Sequence, residues 1–363
     1  MFCADLQARE QVYKHNRELK GDDLVALEQV VAYCNQLDAQ CEALILGGDQ
    51  VDSPRIGDDH VISLRQILRS CNAPVYYIDG NHERGFRRLE LEGGEASVAL
   101  NLEDHPFQFD PTGRNLSVNG HNWRSRRAWE QVVEEGIKPC TIRILHGFAD
   151  QAIEGLGLST SAVDLGDYDL DWFDGRNSLC LMGDIHQPMH FVGPEHLTDY
   201  YYPGSMWMHR ANEPVDKQFL VIDTELNVTA VPLETRPFFK ADIRTSEETA
   251  QLLKDVLAVT PPKDIRIQKP RVHIDVYGND NFEKELSILR QHAHLFVRIR
   301  PSRTTLQLDD KSMSAKTIDL KEAIAIVGKD DLDTQRLLTD IFDSGVDAAT
   351  EKLRKKLGVE YCL

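Results

Sequence analysis

The rest of the chain is arranged around the stretch VYYIDGNHE, residues 75–83. In it, a run of mostly apolar residues leads directly into a Gly-Asn-His turn. An apolar strand that stops at a glycine places its next polar side chains at the edge of a sheet, where a metal ion or a phosphate can reach them. Asn81 and His82 offer a metal ligand and a proton donor at this point. Taken alone, the tripeptide fits an ordinary turn better, because Gly and Asn are common turn formers.

Four further stretches carry residues of the kinds that bind metal ions, and most of them follow apolar runs. These residues are Asp5 and Gln7, Asp49 after ALILGG, His146 after TIRIL, and Asp184 and His186 in LCLMGDIH. Helical patterns separate the first three apolar runs, and two such strand–helix–strand units make the strands parallel. We therefore predict a two-metal site built from loops at one end of a sheet, with Asp49 bridging both ions. Taken singly, Asp49 also fits a turn residue and His146 a cap.

The composition is that of a soluble globular protein. The chain has 363 residues, of which 41% are hydrophobic and 28% are charged, a size that suggests two or three domains. No stretch approaches the roughly 20 apolar residues that a membrane-spanning helix needs, and the N-terminus shows no signal segment. We therefore expect a cytoplasmic protein with no membrane association. The seven cysteines form no CxxC pair, and we expect them to be reduced.

The formal net charge of −18 argues against a chain that coats DNA by itself, because phosphate contacts require Lys and Arg. A nuclease is still compatible with this charge, since metal ions or a partner subunit can supply positive charge. Residues 262–303 contain nine Lys or Arg and five Asp or Glu, so this segment is basic. Arg124, Arg126 and Arg127 lie beside two tryptophans, which fits either a solvated face or a patch that contacts a nucleic-acid strand.

Changes in sequence character divide the chain into three parts. Residues 1–236 contain all the metal-binding motifs and a predicted hairpin in QFLVIDTELNVTAVPL. Residues 237–305 are punctuated by prolines and predict strands at VHIDVYG and LFVRIRP around a helix at residues 281–291. Residues 306–363 predict short helices, with an apolar face formed by Leu337, Leu338, Ile341 and Phe342.

The ordered motifs D-x-Q, GGDQVD, GNHE, HG and GDIHQP resemble the signature of the calcineurin-like metallophosphoesterases, which reads D-x-H, G-D, G-N-H-D/E, H and G-H-x-H. The motif YPGS at residues 202–205, followed by a strand pair and a basic segment, is more narrowly similar to SbcD-type DNA nuclease subunits of the meiotic recombination eleven family. Bacteriophage recombination nucleases of that family fit best, which would place the protein in the host cytoplasm. The resemblance covers residues 1–235 by motif. It implies an α/β fold, a two-sheet sandwich flanked by helices, with a small α+β capping domain and a C-terminal helical segment.

The resemblance also implies a role for each motif residue. One ion, metal A, would be held by Asp5, Gln7, Asp49 and His186. The second ion, metal B, would be held by Asp49, Asn81, His146 and Asp184. His82 would be catalytic, because it would protonate the leaving oxygen of the substrate or stabilise the phosphorane.

Three positions depart from the family pattern. Gln7 and Asp184 each replace a histidine, and Asp52 stands where a histidine that helps to position the substrate phosphate often follows G-D. We count Asp52 among the catalytic residues because of that position. Since two nitrogen ligands have become oxygens, we expect Mn²⁺, with Mg²⁺ as the second choice, in preference to Zn²⁺. Gln is a weak ligand, and this leaves the occupancy of metal A open.

The resemblance implies a metal-dependent DNA nuclease, an exonuclease or endonuclease, that works with an SMC-like ATPase of the SbcC type in DNA end processing, recombination or repair. A homodimer within a heterotetramer is expected, with residues 306–363 bound to the ATPase coiled coil. One alternative is a single-subunit metallophosphatase or cyclic nucleotide phosphodiesterase, which needs no capping domain. Another alternative is a degenerate phosphoesterase that acts as a scaffold, which the changes at Gln7, Asp52 and Asp184 would favour.

Overall fold

The protein has a mixed α/β structure in a computed structural model. The structure describes residues 1–9, 21–83, 98–110, 113–155, 167–193, 195, 197–209, 213–243, 245–277, 284, 287–289 and 298–304. The described strands form two six-stranded mixed sheets and one three-stranded sheet. The predicted helical segment at residues 306–363 lies outside the described residues.

The elements alternate between short strands and a few helices along the chain. The strands are β1 (Phe2–Cys3), β2 (Leu44–Leu46), β3 (Val75–Tyr77), β4 (Leu100–Asn101), β5 (Phe107–Phe109), β6 (Leu116–Gly120), β7 (Ile142–His146), β8 (Leu179–Gly183), β9 (Met189–Val192), β10 (Asp199–Tyr202), β11 (Lys217–Ile222), β12 (Val228–Leu233), β13 (Phe238–Ile243), β14 (Arg271–Tyr277) and β15 (Arg298–Thr304). The helices are α1 (Asp22–Leu37), α2 (Asp58–Arg69), α3 (Arg126–Glu135), α4 (Asp150–Gly155) and α5 (Ser246–Ala258). The strand orders are β12-β11-β1-β2-β3-β4, β5-β6-β7-β8-β10-β9 and β13-β14-β15.

The first sheet confirms the predicted parallel strands. β1, β2 and β3 are parallel neighbours, with Phe2 opposite Ile45 and Leu44 opposite Val75. α1 precedes β2 and α2 precedes β3, at the places where the sequence predicts crossover helices. β11 and β12 form the predicted antiparallel hairpin. The carboxyl ends of β1, β2 and β3 therefore lie at one edge of the sheet.

The parallel strands β1, β2 and β3 are buried on both faces except at Tyr76, which explains why they are apolar. Phe2 packs between the two sheets, in one cluster with Ile144 of the second sheet. The next residue, Cys3, packs on the opposite face with Val30 of α1. Trp129 of α3 belongs to a further cluster that covers the outer face of the second sheet. The architecture is therefore two packed sheets with helices on the outside.

Sequence reasoning missed several elements. Residues 84–139 have no clear pattern, yet they contain β4, β5, β6 and α3. Strands of two to five residues are too short to show a reliable period in the sequence. β13 and α5 were also missed, although Thr245 and Glu248 form a capping box whose T-x-x-E pattern is a helix-start signal.

The three-stranded sheet lies within the predicted capping domain. Its three strands are parallel, and the strands predicted at VHIDVYG and LFVRIRP are confirmed as β14 and β15. Val272 and Ile274 of β14 pack with Leu252 and Val256 of α5 in a small apolar cluster. Within the predicted helix at residues 281–291, the described residues 284 and 287–289 are helical. The domain boundary at residue 236 stays a prediction.

A buried ion pair joins the start of α1 to the segment that leads into β13. Arg236 donates from Nε and Nη2 to the two carboxylate oxygens of Asp22, at 2.9 and 2.7 Å. Arg236 also donates to the carbonyl oxygens of Arg266 and Lys269, at 2.6 and 2.7 Å. Both members of the pair are more than nine-tenths buried. Within the described ranges, no helix is long and apolar enough to cross a membrane.

We expect Arg236→Ala to lower the free energy of unfolding by about 3–5 kcal/mol, because it leaves the Asp22 carboxylate buried without its cation. Chemical denaturation measures this change. Arg114→Ala is the matched control, since Arg114 pairs with Glu225 at 2.7 Å but both side chains are more than half exposed. The control should change stability by less than about 1 kcal/mol. Equal losses in the two variants would show that the buried pair contributes no more than a surface pair.

Candidate metal centre

The ligand-type residues of the sequence motifs meet at one end of the two-sheet sandwich. Each of them ends or follows a parallel strand: Asp5 follows β1, Asp49 follows β2, Asn81 and His82 follow β3, His146 ends β7, and Asp184 and His186 follow β8. β7 and β8 are parallel neighbours, with His146 opposite Gly183. Both sheets therefore contribute side chains from their carboxyl ends, as is usual for ligand sites in open α/β sheets.

Four of these residues adopt a left-handed backbone. The φ angles are 56° at Asp5, 40° at Gln7, 53° at Asp49 and 95° at Asp184. Non-glycine residues with positive φ are uncommon, and a conformation of this kind costs of order 1–3 kcal/mol unless neighbouring structure enforces it. Backbone hydrogen bonds enforce it here, because Asp5 N donates to Gly48 O at 3.1 Å and Gln7 N donates to Asp49 O at 2.7 Å. The strain lies where the side chains converge.

Two glycines allow the loops to approach each other closely. Gly48 has a φ of 94°, and a Cβ built on it would lie 2.2 Å from Nδ1 of His146. A Cβ on Gly80 would lie 2.1 Å from Oδ1 of Asp49. A side chain at either position would overlap these atoms, so both positions require glycine for space as well as for the turn. They belong to the GGD and GNH motifs.

Glu83 ties the loop after β2 to the loop after β3. It is fully buried, and its carboxylate accepts hydrogen bonds from the backbone N–H groups of Asp49, Val51 and Gly80 at 3.1, 3.1 and 2.9 Å. A carboxylate that accepts several backbone N–H groups holds them in a fixed arrangement. Glu83 therefore positions Asp49. The sequence motif GNHE contains this residue, but its role was missed.

Asp5, Asp49 and His146 form a fully buried group that can hold a metal ion. Their ligand atoms all lie within 4.8 Å of one another. Nδ1 of His146 donates to the carbonyl oxygen of Gly47 at 2.8 Å, which directs Nε2 towards the carboxylates, 3.4 Å from Oδ1 of Asp49. A histidine whose other nitrogen donates to a carbonyl is the usual arrangement of a metal ligand.

Three buried ligand atoms around this group have no hydrogen-bond partner among the described residues. They are Nε2 of His146, Oδ2 of Asp184 and Oδ1 of Asn81. Buried polar atoms in folded proteins almost always have a partner, so each such atom requires an explanation. All three belong to residues that were predicted to hold metal B. A divalent cation fits this donor set of oxygens and one imidazole nitrogen.

The charges of the centre reinforce this reading. Burial raises the pKa of Asp5 to about 6 and that of Asp184 to about 7. Burial would also raise the pKa of Asp49, but His146 and His82 lower it to about 2. For His146, burial would lower the pKa, yet the three aspartates, with Asp49 first, raise it well above its usual value. Protons therefore compete with a cation for the same buried ligands.

The residues predicted for metal A are close together but bind each other. Nε2 of Gln7 lies 3.2 Å from Oδ2 of Asp49 and 3.0 Å from Nε2 of His186. Oε1 of Gln7 accepts a hydrogen bond from Nη2 of Arg9 at 3.0 Å. Nδ1 of His186 lies 2.7 Å from Oε1 of Glu213, so this histidine donates to a carboxylate. Gln7 therefore presents its amide nitrogen, and not its carbonyl oxygen, to the centre.

His82 lies at the accessible side of the centre, where its side chain is 37% exposed. Its backbone N–H donates to Oδ1 of Asp49 at 3.1 Å, and Nδ1 donates to the carbonyl oxygen of Asp52 at 2.9 Å. The side chain of Asp52 forms an ion pair with Arg9 at 2.9 Å. Asp52 therefore orients His82 through its backbone and Arg9 through its carboxylate.

Sequence reasoning also missed a buried network behind His186. Oε2 of Glu213 accepts from Ser205 Oγ at 3.2 Å, from Lys217 Nζ at 3.1 Å and from His209 N at 2.9 Å. Lys217 is almost completely buried, and the same ammonium group donates to Ser205 Oγ at 2.7 Å. The network fixes the carboxylate that faces His186. The YPGS motif contains Ser205, but nothing in the motif indicates its contact with Glu213.

Comparisons with known proteins add little to this geometry. No protein-family model matches the chain, and no curated protein matches it. Among solved structures, the chain is similar to a protein of unknown function, AQ665 from Aquifex aeolicus, at 13% sequence identity. The match covers 39% of this chain and 74% of that chain, with a TM-score of 0.22. A TM-score this low supports no conclusion about fold or function.

We expect the affinity for Mn²⁺ to rise as the pH increases through about 6 and about 7, the pKa values of Asp5 and Asp184. Below these values, protons occupy the carboxylates that the cation requires. The stability of the metal-free protein changes with pH in the opposite direction. Between the usual and the raised pKa values of these aspartates, the folded protein binds more protons than the unfolded chain does. Its stability therefore falls as the pH rises through this range.

Isothermal titration calorimetry at several pH values measures the affinity, and thermal unfolding in the presence of a chelator measures the stability. Mn²⁺ binding that does not change with pH would contradict the proposed competition between protons and the cation.

Proposed function

We propose that the protein is a metallophosphoesterase that hydrolyses phosphodiesters with a divalent cation bound at the centre, and that DNA is its substrate. The observation that carries this proposal is a set of three buried ligand atoms beside Asp5 and Asp49. Oδ1 of Asn81 and Oδ2 of Asp184 have no hydrogen-bond partner among the described residues, and Nε2 of His146 has only the Asp49 and Asp184 carboxylates, at 3.4 and 3.8 Å. These atoms belong to three separate sequence motifs, in the order in which the metallophosphoesterase family has them. A purely structural cluster would be expected to satisfy such atoms within the protein.

The donor set favours a hard cation. Asp5, Asp49, Asn81 and Asp184 offer oxygen atoms, and His146 offers one nitrogen. Oxygen-rich sites suit Mn²⁺ or Mg²⁺ better than Zn²⁺, and an imidazole ligand favours Mn²⁺ over Mg²⁺. When bound, the cation would make a water molecule more acidic and neutralise the charge on the phosphate.

His82 would donate a proton to the leaving oxygen. Its ring is held through Nδ1 by the carbonyl oxygen of Asp52, so Nε2 is the nitrogen that can exchange a proton with a substrate. The ring is partly exposed, whereas Asp49 beneath it is completely buried. His82 can therefore reach a bound phosphodiester while Asp49 stays among the metal ligands.

The choice of DNA rests on the motif resemblance and on the basic segment at residues 262–303. The arginine group near α3 gives less support, because two of its members are used within the protein. Arg124 pairs with Glu103, and Arg126 pairs with Asp150 at 2.8 Å. The proposed SMC-like ATPase partner and the heterotetramer rest on the resemblance alone. The segment proposed to bind the ATPase lies outside the described residues.

A second candidate is a degenerate phosphoesterase that acts as a scaffold. The observation that favours it is the contact of Gln7 with Asp49 and His186, since these residues bind each other at the position predicted for metal A. An assay of metal-dependent hydrolysis separates the two candidates. A scaffold would hydrolyse neither a small phosphodiester nor DNA at any metal concentration.

We expect Asp49→Ala to abolish both Mn²⁺ binding and hydrolysis, because it removes a carboxylate at the centre of the ligand group. His82→Ala should retain Mn²⁺ binding and reduce the rate by about 10²- to 10⁴-fold, as for the loss of a general acid. The assay follows cleavage of bis(p-nitrophenyl) phosphate and of linear duplex DNA, with Mn²⁺, Mg²⁺ or Zn²⁺. Calorimetry measures Mn²⁺ binding by each variant.

The matched controls are Asp199→Ala and His190→Ala, because these residues form an exposed pair at 2.9 Å that resembles the catalytic pair only in residue type. Both controls should behave as the unaltered protein. The assignment of roles would be wrong if His82→Ala lost Mn²⁺ as completely as Asp49→Ala. If the unaltered protein hydrolyses neither substrate with any of the metal ions, this result would support the scaffold instead.

A further inference from the structure

The two halves of the predicted metal pair differ in how their ligand atoms are used. On the side of metal B, Oδ1 of Asn81 and Oδ2 of Asp184 have no hydrogen-bond partner in the described part of the chain, and Nε2 of His146 faces only carboxylates, at 3.4 Å or more. On the side of metal A, the polar atoms of Gln7 are all engaged, with Asp49, His186 and Arg9. One half is arranged to receive a cation, and the other half is already satisfied by the protein.

The hydrogen-bond pattern around Gln7 is self-consistent. When His186 is neutral and donates from Nδ1 to Glu213, its Nε2 has a lone pair that accepts a hydrogen bond from Nε2 of Gln7. The second N–H of the same amide group faces Oδ2 of Asp49. The amide nitrogen therefore lies between the two atoms that metal A would have to bridge. A cation does not fit there while Gln7 keeps this orientation.

Rotation of the Gln7 amide is opposed by Arg9. The rotation would place an NH₂ group against the guanidinium, where a donor would face a donor. It would also remove the carbonyl oxygen that now accepts from Nη2 of Arg9 at 3.0 Å. Arg9 is itself held by the ion pair with Asp52 at 2.9 Å. The donors and acceptors around Gln7 therefore define which way its amide group points.

We infer that the centre holds one divalent cation, and that Arg9 supplies the second positive charge, for the phosphate of the substrate. This inference rests on the proposed function and departs from the two-metal site that the sequence motifs imply. The cation binds among Asp5, Asp49, Asn81, His146 and Asp184. Gln7 connects Arg9 to the bridging carboxylate, so that a guanidinium replaces metal A.

Arg9 has the donors that this role requires. Its Nη2 is shared between Gln7 and Asp52, while its Nε is buried and has no partner within the described ranges. The side chain is 19% exposed, so part of it is accessible from solvent. A guanidinium binds phosphate oxygens through several N–H groups in a fixed plane and keeps its charge at all working pH values. The pattern D-x-Q-x-R places Asp5, Gln7 and Arg9 together in the sequence.

The first test is the number of ions bound. The full-length protein is stripped with a chelator and titrated with Mn²⁺, with the bound metal counted by elemental analysis after equilibrium dialysis. We expect one Mn²⁺ per chain. The double variant Gln7→His and Arg9→Met should bind two, because it supplies an imidazole ligand and removes the competing cation. Gln66→His is the control, since it adds a histidine at an exposed position of α2 and should still bind one.

The second test is anion affinity. Inorganic phosphate is titrated into the Mn²⁺-loaded protein, and Arg9→Met should weaken its binding by about tenfold or more, because hydrogen bonds between charged groups are lost. Arg9→Lys should recover part of the affinity because it keeps the charge but loses the planar donor pair. Arg114→Met is the control for net charge and should bind phosphate as the unaltered protein does.

Two Mn²⁺ ions per unaltered chain would overturn the inference and leave the proposed function intact. Phosphate affinity that Arg9→Met does not change would overturn the role of Arg9. No Mn²⁺ bound at all would contradict the proposed function itself. If the double variant fails to fold, as judged by circular dichroism, the ion count of the unaltered protein and the Arg9→Lys titration still decide the question.

Discussion

Three carboxylates share a buried space at the end of the sandwich, and the rest of the centre depends on this crowding of negative charge. Asp5, Asp49 and Asp184 converge on His146, and the backbone N–H of Asp184 donates to both oxygens of Asp5 at 3.0 Å. Burial of ionised carboxylates is costly unless positive charge compensates for it. Among the described residues, the imidazole of His146 lies nearest to these carboxylates, 3.4 Å from Asp49 and 3.8 Å from Asp184. A bound cation would relieve the same repulsion more completely.

The fold enforces this crowding through its loops. Parallel strands from both sheets end at the same place, and four of the residues that follow them have a left-handed backbone. Glu83 holds three backbone N–H groups of two loops, and Gly48 and Gly80 remove the side chains that would keep the loops apart. Side chains held by such contacts are the usual support of a binding or catalytic site.

The sequence was sufficient to predict which residues converge, because apolar runs followed by Asp49, Asn81 or His146 mark the ends of parallel strands. It was also sufficient for α1, α2 and the β11–β12 hairpin, whose patterns are local. It could not predict β4 and β5, which are short and at or near the edges of their sheets. The sequence also could not predict the orientation of the side-chain amide of Gln7. Whether Gln7 presents oxygen or nitrogen depends on Arg9, His186 and Glu213, which meet only in the folded chain.

The departures from the family motifs therefore have a physical reading. Asp184 keeps an oxygen atom available for a cation. Gln7 donates hydrogen bonds at a position where a histidine nitrogen would bind a metal ion. Asp52 orients Arg9 and His82 together, although it is not a histidine. On the proposed function, they would together exchange part of a metal centre for a network of fixed protein charges.

The most direct test of the central claim is the anomalous scattering of Mn²⁺ in crystals of the full-length protein grown with that ion. We expect an anomalous peak within bonding distance of Asp5, Asp49 and His146. Ligand distances near 2.2 Å, typical of oxygen and nitrogen ligands of such ions, would identify the bound atoms. Crystals that contain Mn²⁺ but show no peak among these three residues would contradict the claim that this buried group is a metal centre.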